Sequence, residues 1–161
     1  MSIAKTLATL LIVAVPLQLQ AQTDDIDMGA LNSAIAAQRQ ITEAQRQLIV
    51  AENLELDEAQ STAFWPIYRA YRNDVNKLDD RAVAVITEYA KLYDSLSDDQ
   101  ALALLKDSMK VDLDREKLKQ RYVGKFRKVI PGVMVGRFLQ IEMRLDTIAR
   151  LKLQSVIPLA L

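Results

Sequence analysis

Nine apolar residues follow one another at alternating steps of four and three along one stretch of this chain. They are Phe64, Tyr68, Tyr71, Val75, Leu78, Ala82, Val85, Tyr89 and Leu92. This spacing keeps one face of an α-helix apolar over four heptads, a pattern typical of a long helix packed along a partner. From Asp57 to Tyr93 such a helix would be roughly 55 Å long at about 1.5 Å per residue. The stretch therefore predicts an elongated protein whose long helix pairs with its own chain or with a second copy.

The rest of the chain also has helical spacing and lacks strand signals. Further helices are predicted from about Leu31, from Asp98 to about Val129, and from about Val133 to a point before Pro158. Pro66 lies inside the long helix and predicts a kink or a short break, because proline lacks the amide donor. The predicted fold class is all-α, an elongated four-helix arrangement of long antiparallel helices of the hairpin or cradle type. In the third helix, the apolar residues that fit one face are Leu102, Leu105 and Met109.

Composition excludes several kinds of chemistry. The 161 residues include no histidine and no cysteine, which removes the usual ligands of zinc, copper and haem, the thiol nucleophile and the commonest general base. The alternating acidic residues Asp112, Asp114 and Glu116 lack the glycine turn of a calcium loop. Adjacent carboxylates such as Asp79 and Asp80 point in different directions on a helix. We therefore expect no enzymatic activity, no metal and no cofactor.

The N-terminal stretch has the pattern of a secretory signal. A single cation, Lys5, precedes an apolar run from Leu7 to Leu17, and Leu19-Gln20-Ala21 is an acceptable cleavage site. The run is short for a membrane span, and a retained anchor or a buried first helix are the alternatives. We expect residues 1–21 to be a cleaved signal peptide, 22–30 a disordered linker and 31–161 a single all-helical domain. The mature chain would then be periplasmic.

Two similar pentapeptides precede the second and third predicted helices. Asp57 is followed three residues later by Gln60, and Ser97 by Gln100. Each pair fits a capping box, in which the first side chain accepts a hydrogen bond from the third amide and the glutamine reaches back to the amide of the cap. The leucines before the caps, Leu56 and Leu96, can pack onto the first turn. Capping alone accounts for every residue of both pentapeptides.

Together these features resemble the Spy/CpxP family of periplasmic proteins, whose hallmark is a repeated leucine-threonine-x-x-glutamine motif. The pentapeptides Leu56–Gln60 and Leu96–Gln100 stand in those places, with aspartate and serine instead of threonine. The resemblance covers roughly residues 48–128. It implies an ATP-independent chaperone that binds unfolded polypeptides, or a modulator of an envelope-stress sensor, with curved helical dimers that hold non-native proteins on a basic concave face.

Charge is unevenly distributed along the chain. Residues 22–114 contain nine Lys and Arg against eighteen Asp and Glu, a net of −9, whereas residues 115–161 contain eleven against three, a net of +8. The densest basic run supplies our candidate client-binding or partner-binding residues, which include two aromatic rings. These residues are Arg115, Lys117, Lys119, Arg121, Tyr122, Lys125, Phe126, Arg127 and Lys128.

Four interpretations of the basic run compete. It can form ion pairs with the acidic helices of its own chain or of a dimer, each exposed pair contributing only ~0.2–1 kcal/mol. It can bind nucleic acid, which a secreted protein of near-neutral total charge does not favour, or lie on an anionic membrane surface, which stays open. It can also hold unfolded polypeptide, since lysine and arginine stems add apolar contact. Charge reversal at Lys119, Arg121 and Lys125 is the test that the sequence suggests.

The sequence thus predicts a non-catalytic protein of the cell envelope whose partners are unfolded or partly folded proteins. A sensor-kinase periplasmic domain is a further candidate partner, and a homodimer is expected from the length of the Phe64–Leu92 seam. The alternative function is a helical adaptor or structural protein that pairs with one specific periplasmic partner.

Overall fold

A computed structural model describes residues 27–39 and 43–157 of the chain. The predicted signal peptide, and the predicted linker up to residue 26, lie outside these described residues. The described residues form five α-helices and no strand. The helices are α1 Met28–Arg39, α2 Glu43–Leu54, α3 Glu58–Leu92, α4 Asp98–Phe126 and α5 Gly132–Gln154, with a single 3₁₀ turn at Tyr93–Ser95.

The all-α prediction is confirmed, with differences in detail. The first predicted helix corresponds to two elements, α1 and α2, on either side of residues 40–42, and α1 begins at Met28 within the stretch expected to be a linker. Of the two outcomes predicted at Pro66, the short break is wrong, because α3 continues through this residue, and the kink stays a prediction. Proline leaves the carbonyl oxygen of Thr62 without its helical donor, and packing on both sides of this turn holds the helix together.

The core lies between α2, α3, α4 and α5, and α2 contributes Val50 and Leu54. The first five residues of the α3 seam, Phe64 to Leu78, are at most 8% exposed, whereas the seam residues from Ala82 to Leu92 are only half-buried. The chain's own helices therefore cover the first half of the seam, and no second copy is needed there. The residues that pack against it from α4, α5 and the turn between them are Val111, Leu118, Tyr122, Phe126, Ile130, Val135 and Phe138.

A second, smaller cluster fixes α1 against the far ends of α3 and α5. Leu31 on α1 and Leu153 on α5 are buried together, with Ile86 and Ala90 of α3 packed around them. Because α3 and α4 form an antiparallel hairpin and α5 runs back alongside α3, the two clusters lie at opposite ends of α5. α4 contributes none of the described residues of the second cluster, and Arg150 Nη1 of α5 lies 3.8 Å from Oδ1 of Asp112 near the middle of α4.

Both capping boxes are present, as the sequence predicts. Asp57 accepts a hydrogen bond from the amide of Gln60 at 2.8 Å, and the Gln60 side chain accepts one from the Asp57 amide at 3.2 Å. Gln100 likewise accepts from the Ser97 amide at 3.0 Å, and Ser97 Oγ lies 3.4 Å from the Gln100 amide. The pentapeptides set the starts of α3 and α4, and this structural role needs no ligand.

We expect Asp57→Ala to lower the free energy of unfolding by about 1 kcal/mol, because one amide at the start of α3 loses its acceptor. Ser97→Ala should cost less, since its bond to the amide is longer. Urea denaturation followed by circular dichroism measures both. Ser108→Ala, an exposed position inside α4, is the control and should change stability little. Equal stability of all three variants would show that the boxes contribute nothing as caps.

Candidate functional site

α4 has two faces with apolar residues, and the described residues cover only one of them. The covered face packs on α3 through residues that include Val111, Leu118 and Tyr122, each at most 4% exposed. The second face carries an apolar stripe, defined here as the four residues Leu102, Leu105, Met109 and Leu113. These are 64%, 56%, 64% and 54% exposed. Large apolar side chains grouped on one helix face in this way are typical of a surface that binds another molecule.

The sequence places Leu102, Leu105 and Met109 on one face of this helix, and in the structure that face is exposed. The residues that pack on α3 follow a different line, which includes Val111, Arg115 and Leu118. Both lines have helical spacing, which is why the apolar phase of the helix is blurred in the sequence. Only the position of α3 decides which line is buried.

Three lysines follow the stripe along one side. Lys106 and Lys117 lie four residues after Leu102 and Leu113, and Lys110 lies between them, so they are neighbours of the stripe on the helix surface. We call Lys106, Lys110 and Lys117 the lysine rail. All three are exposed, and none has a carboxylate oxygen within 4.0 Å in the part of the chain that the structure describes.

An open groove adjoins the C-terminal half of the same face. It lies between α4 and α5 and has a volume of about 570 Å³. Val123, Leu139 and Met143 form its apolar part, and Glu116 and Arg150 stand among its polar residues. Methionine adapts its shape to different partners. The stripe with Met109 and the groove with Met143 therefore suit partners that differ in sequence.

The residues of the predicted basic run differ in burial and in their contacts. Arg115 is buried, and its Nη2 donates to Asp79 Oδ1 at 2.8 Å while its Nε has no partner among the described residues. Tyr122 and Phe126 lie in the core at 2% and 0% exposure. They belong to the packing between α3 and α4 and present no surface to a partner.

Two further cations of the run form ion pairs within the chain, and one packs on a ring. Lys119 Nζ lies 2.7 Å from Glu116 Oε1, and Arg121 Nη2 lies 3.6 Å from Asp74 Oδ2. Lys125 stands 4.1 Å above the centre of the Tyr122 ring. The intramolecular interpretation therefore describes part of the run. Charge reversal at these three positions would also disturb internal contacts, which makes them poor test sites.

The remaining cations of the run, Lys117, Arg127 and Lys128, are exposed and have no ion pair within 4.0 Å among the described residues. Lys117 belongs to the lysine rail, whereas the other two lie at the C-terminal end of the helix. Lys106 and Lys110 lie outside the predicted basic run and neighbour the exposed apolar stripe. Helical spacing in the sequence already places these lysines beside Leu102, Leu105 and Met109.

A buried charge cluster, also not anticipated, joins α2, α3 and α5. Glu142 is 1% exposed and accepts from Arg72 Nη1 at 3.0 Å and from Arg46 Nη1 at 3.4 Å. Arg46 also pairs with Asp146 at 3.0 Å, and Arg72 with Glu43 at 3.0 Å. These five residues are the buried charge cluster. The sequence feature that could have indicated this cluster is the position of Glu142, which continues the helical spacing of the apolar residues Phe138, Leu145 and Ala149.

The pKa values in this cluster follow from burial and charge together. Burial raises the pKa of Glu142, although Arg72 and Arg46 favour its charged form. Burial also opposes ionisation of Glu43, but hydrogen bonds and charge from Arg72 outweigh it and lower the pKa of that carboxyl. At Tyr122, burial and the hydrogen bond to Asp74 raise the pKa to about 12. These shifts follow from burial, ion pairing and hydrogen bonding within the fold.

A cavity of about 300 Å³ lies beside the buried charge cluster, lined partly by Glu43, Arg46, Arg72 and Asp146. These lining charges pair with one another or with Glu142. Within residues 27–39 and 43–157, no group of three or more carboxylates is arranged to hold a metal ion. None of the described helices is long and apolar enough to cross a membrane. The α4 surface is therefore the best candidate for function.

Comparison with known proteins gives no further guide, because no family model, no curated protein and no solved structure matches this chain.

Proposed function

We propose that this protein is a non-catalytic periplasmic protein that holds unfolded or partly folded polypeptides on α4 without nucleotide, or modulates an envelope-stress sensor through the same surface. The observation that carries the proposal is the apolar stripe, four side chains each more than half exposed, beside the lysine rail. The cellular location rests on the N-terminal sequence, and the resemblance to the Spy/CpxP family favours the same class of function.

The chemistry of the surface fits a protein that binds many segments loosely. Burying exposed apolar surface favours association without regard to the order of side chains in the partner. Exposed lysines attract acidic stretches over about 10 Å at moderate salt, and their methylene stems add apolar contact. Neither contribution requires a nucleotide or a fixed partner sequence.

The alternative is an adaptor with one specific partner. The helical spacing of the stripe favours this function, since one partner helix could match it along its length. A tight one-to-one complex, with no protection of unrelated proteins, would distinguish the adaptor from a holding protein.

The test is light scattering from an unrelated aggregating protein, with the purified chain added at equimolar amounts and no nucleotide. We expect suppression that weakens at high salt. The triple variant Leu102→Gln, Leu105→Gln, Met109→Gln should need about tenfold more protein for the same suppression, which corresponds to a loss of roughly 1.4 kcal/mol in binding. Glutamine suits an exposed helix position, so the fold should be kept.

The matched control is the double variant Ile148→Gln, Leu151→Gln, which removes apolar side chains that are 54% and 67% exposed on α5. It should suppress aggregation as well as the unaltered chain. Equal suppression by the stripe variant and the control would place holding activity elsewhere. No suppression at any ratio would reject the holding function and leave the adaptor.

A further inference from the structure

The helical structure of α4 restricts the backbone conformation that a bound partner segment can adopt. A helix offers no free backbone amides or carbonyls along its sides, and the described residues contain no strand edge to which an extended segment could add. An extended segment laid on Leu102–Leu113 would leave its own backbone polar groups without partners on the covered side. A helical segment satisfies these groups internally. The surface therefore favours a partner that is helical when bound.

The lysine rail restricts the partner further. Lys106, Lys110 and Lys117 lie on one side of the stripe, so a helix packed on the stripe would place one of its flanks beside them. Carboxylates on that flank could approach these lysines within ion-pair distance, which no described carboxylate does, although Lys110 and Lys117 interact with Asp114 at longer range. The stripe spans Leu102 to Leu113, about 16 Å of helix, which corresponds to a partner segment of about three turns.

A second copy of the chain fits this surface less well. Its α4 carries the lysine rail on one flank of the stripe, and Asp112 and Glu116 lie beside the other flank, three residues after Met109 and Leu113. When two such helices pair antiparallel, the direction that their dipoles favour, equivalent flanks meet. Lys106 and Lys110 of both copies would then stand together, and like charges at this spacing repel.

We propose that the stripe and the lysine rail recognise acidic amphipathic segments that bind as helices. Such a segment has apolar residues at steps of three and four over about three turns and aspartate or glutamate along one flank. This inference rests on the proposed use of α4 as the binding surface, and it names the class of polypeptide that the surface selects.

Three labelled 16-residue peptides test the proposal. The first has leucines at the steps of the stripe and glutamates along one flank. The second has the same composition with leucines in alternate positions, and the third has lysine in place of glutamate. Fluorescence anisotropy with the chain purified without residues 1–21, alongside the full chain, should show at least about tenfold tighter binding of the first peptide. Its far-ultraviolet circular dichroism should become more helical on binding.

Reversal of the rail provides the matched comparison. Lys106→Glu, Lys110→Glu, Lys117→Glu should reverse the preference between the glutamate and lysine peptides. Arg127→Glu, Lys128→Glu, Arg137→Glu makes the same change in net charge at exposed positions away from the stripe, and it should keep the original preference. A preference that both triple variants alter alike would overturn the role of the rail.

The outcomes separate this inference from the proposed function. Equal binding of all three peptides, with aggregation still suppressed, overturns the inference and leaves the holding function. Selective binding of the helical acidic peptide without suppression supports the inference and makes the protein an adaptor. A chain that sediments as a dimer and becomes monomeric in the stripe variant would identify a second copy as the occupant, and would overturn the inference.

Discussion

Replacing Glu142 by leucine is expected to lower the free energy of unfolding by about 3 kcal/mol. The Glu142 carboxylate is the acceptor shared by Arg46 and Arg72, whose side chains are each only 6% exposed. Without it, both guanidinium groups keep one outer carboxylate and lose the partner on their buried side. Urea denaturation at neutral pH measures the change, and Gln140→Leu, an exposed position two residues earlier on α5, should change stability by less than about 0.5 kcal/mol.

A triple variant separates the ion pairs from the volume that they fill. Replacing Glu142 by leucine together with Arg46→Met and Arg72→Met removes the three most buried charges of the cluster, keeps apolar volume at each position and leaves the more exposed Glu43 and Asp146. Because buried ion pairs rarely stabilise more than apolar residues of similar size, we expect this variant to recover most of the stability lost in the single variant. If Glu142→Leu alone unfolds at the same urea concentration as the unaltered chain, the cluster does not hold α2 against α3 and α5.

Phe138→Ala should be at least as damaging, with a loss of about 3–5 kcal/mol. The Phe138 ring is fully buried, 4.6 Å between centres from Phe126 of α4 and 5.4 Å from Phe64 of α3. Tyr68 and Tyr71 also lie within 6 Å of it, at 5.9 and 5.7 Å. One ring therefore ties α5 to both helices of the hairpin, and its loss would leave a cavity where all three meet.

Thermal and urea unfolding of Phe138→Ala measure this loss. Ile148→Ala is its control on the same helix, because a side chain that is 54% exposed leaves no cavity behind and should change stability by no more than about 0.5 kcal/mol. If the two variants were equally stable, α5 would not be anchored through the ring cluster. The groove between α4 and α5 would then lack a fixed wall.

Many residues of the candidate surface could be predicted from the sequence, but the sequence grouped the basic residues with the wrong apolar residues. The basic run drew attention to α4, and Leu102, Leu105 and Met109 were recognised as one apolar face. The run was expected to bind through Tyr122 and Phe126, yet these rings fill the core while the three apolar residues stay exposed. Helical spacing groups residues into faces. It does not say which of two faces on one helix another helix will cover.

The buried charge cluster shows the same limit in a different form. Arg72 and Glu142 lie 70 residues apart in the chain and 3.0 Å apart in the fold. Glu142 stands at helical spacing among apolar residues. This position indicates a buried carboxylate only if the oppositely charged residue that pairs with it is known. The partner comes from α2 or α3, whose placement depends on packing that is not local.

What the sequence determined by itself is local. The capping boxes at Asp57 and Ser97 set where α3 and α4 begin, since their hydrogen bonds span three residues. The apolar seam from Phe64 predicted a long helix with one packed face. The tertiary structure alone decided that α3 covers the Val111–Tyr122 line of α4, that the apolar stripe and lysine rail stay in solvent, and that Arg115 is buried against Asp79. Helical periodicity fixes directions around one helix axis. The relative placement of several axes depends on how distant side chains fill a shared volume.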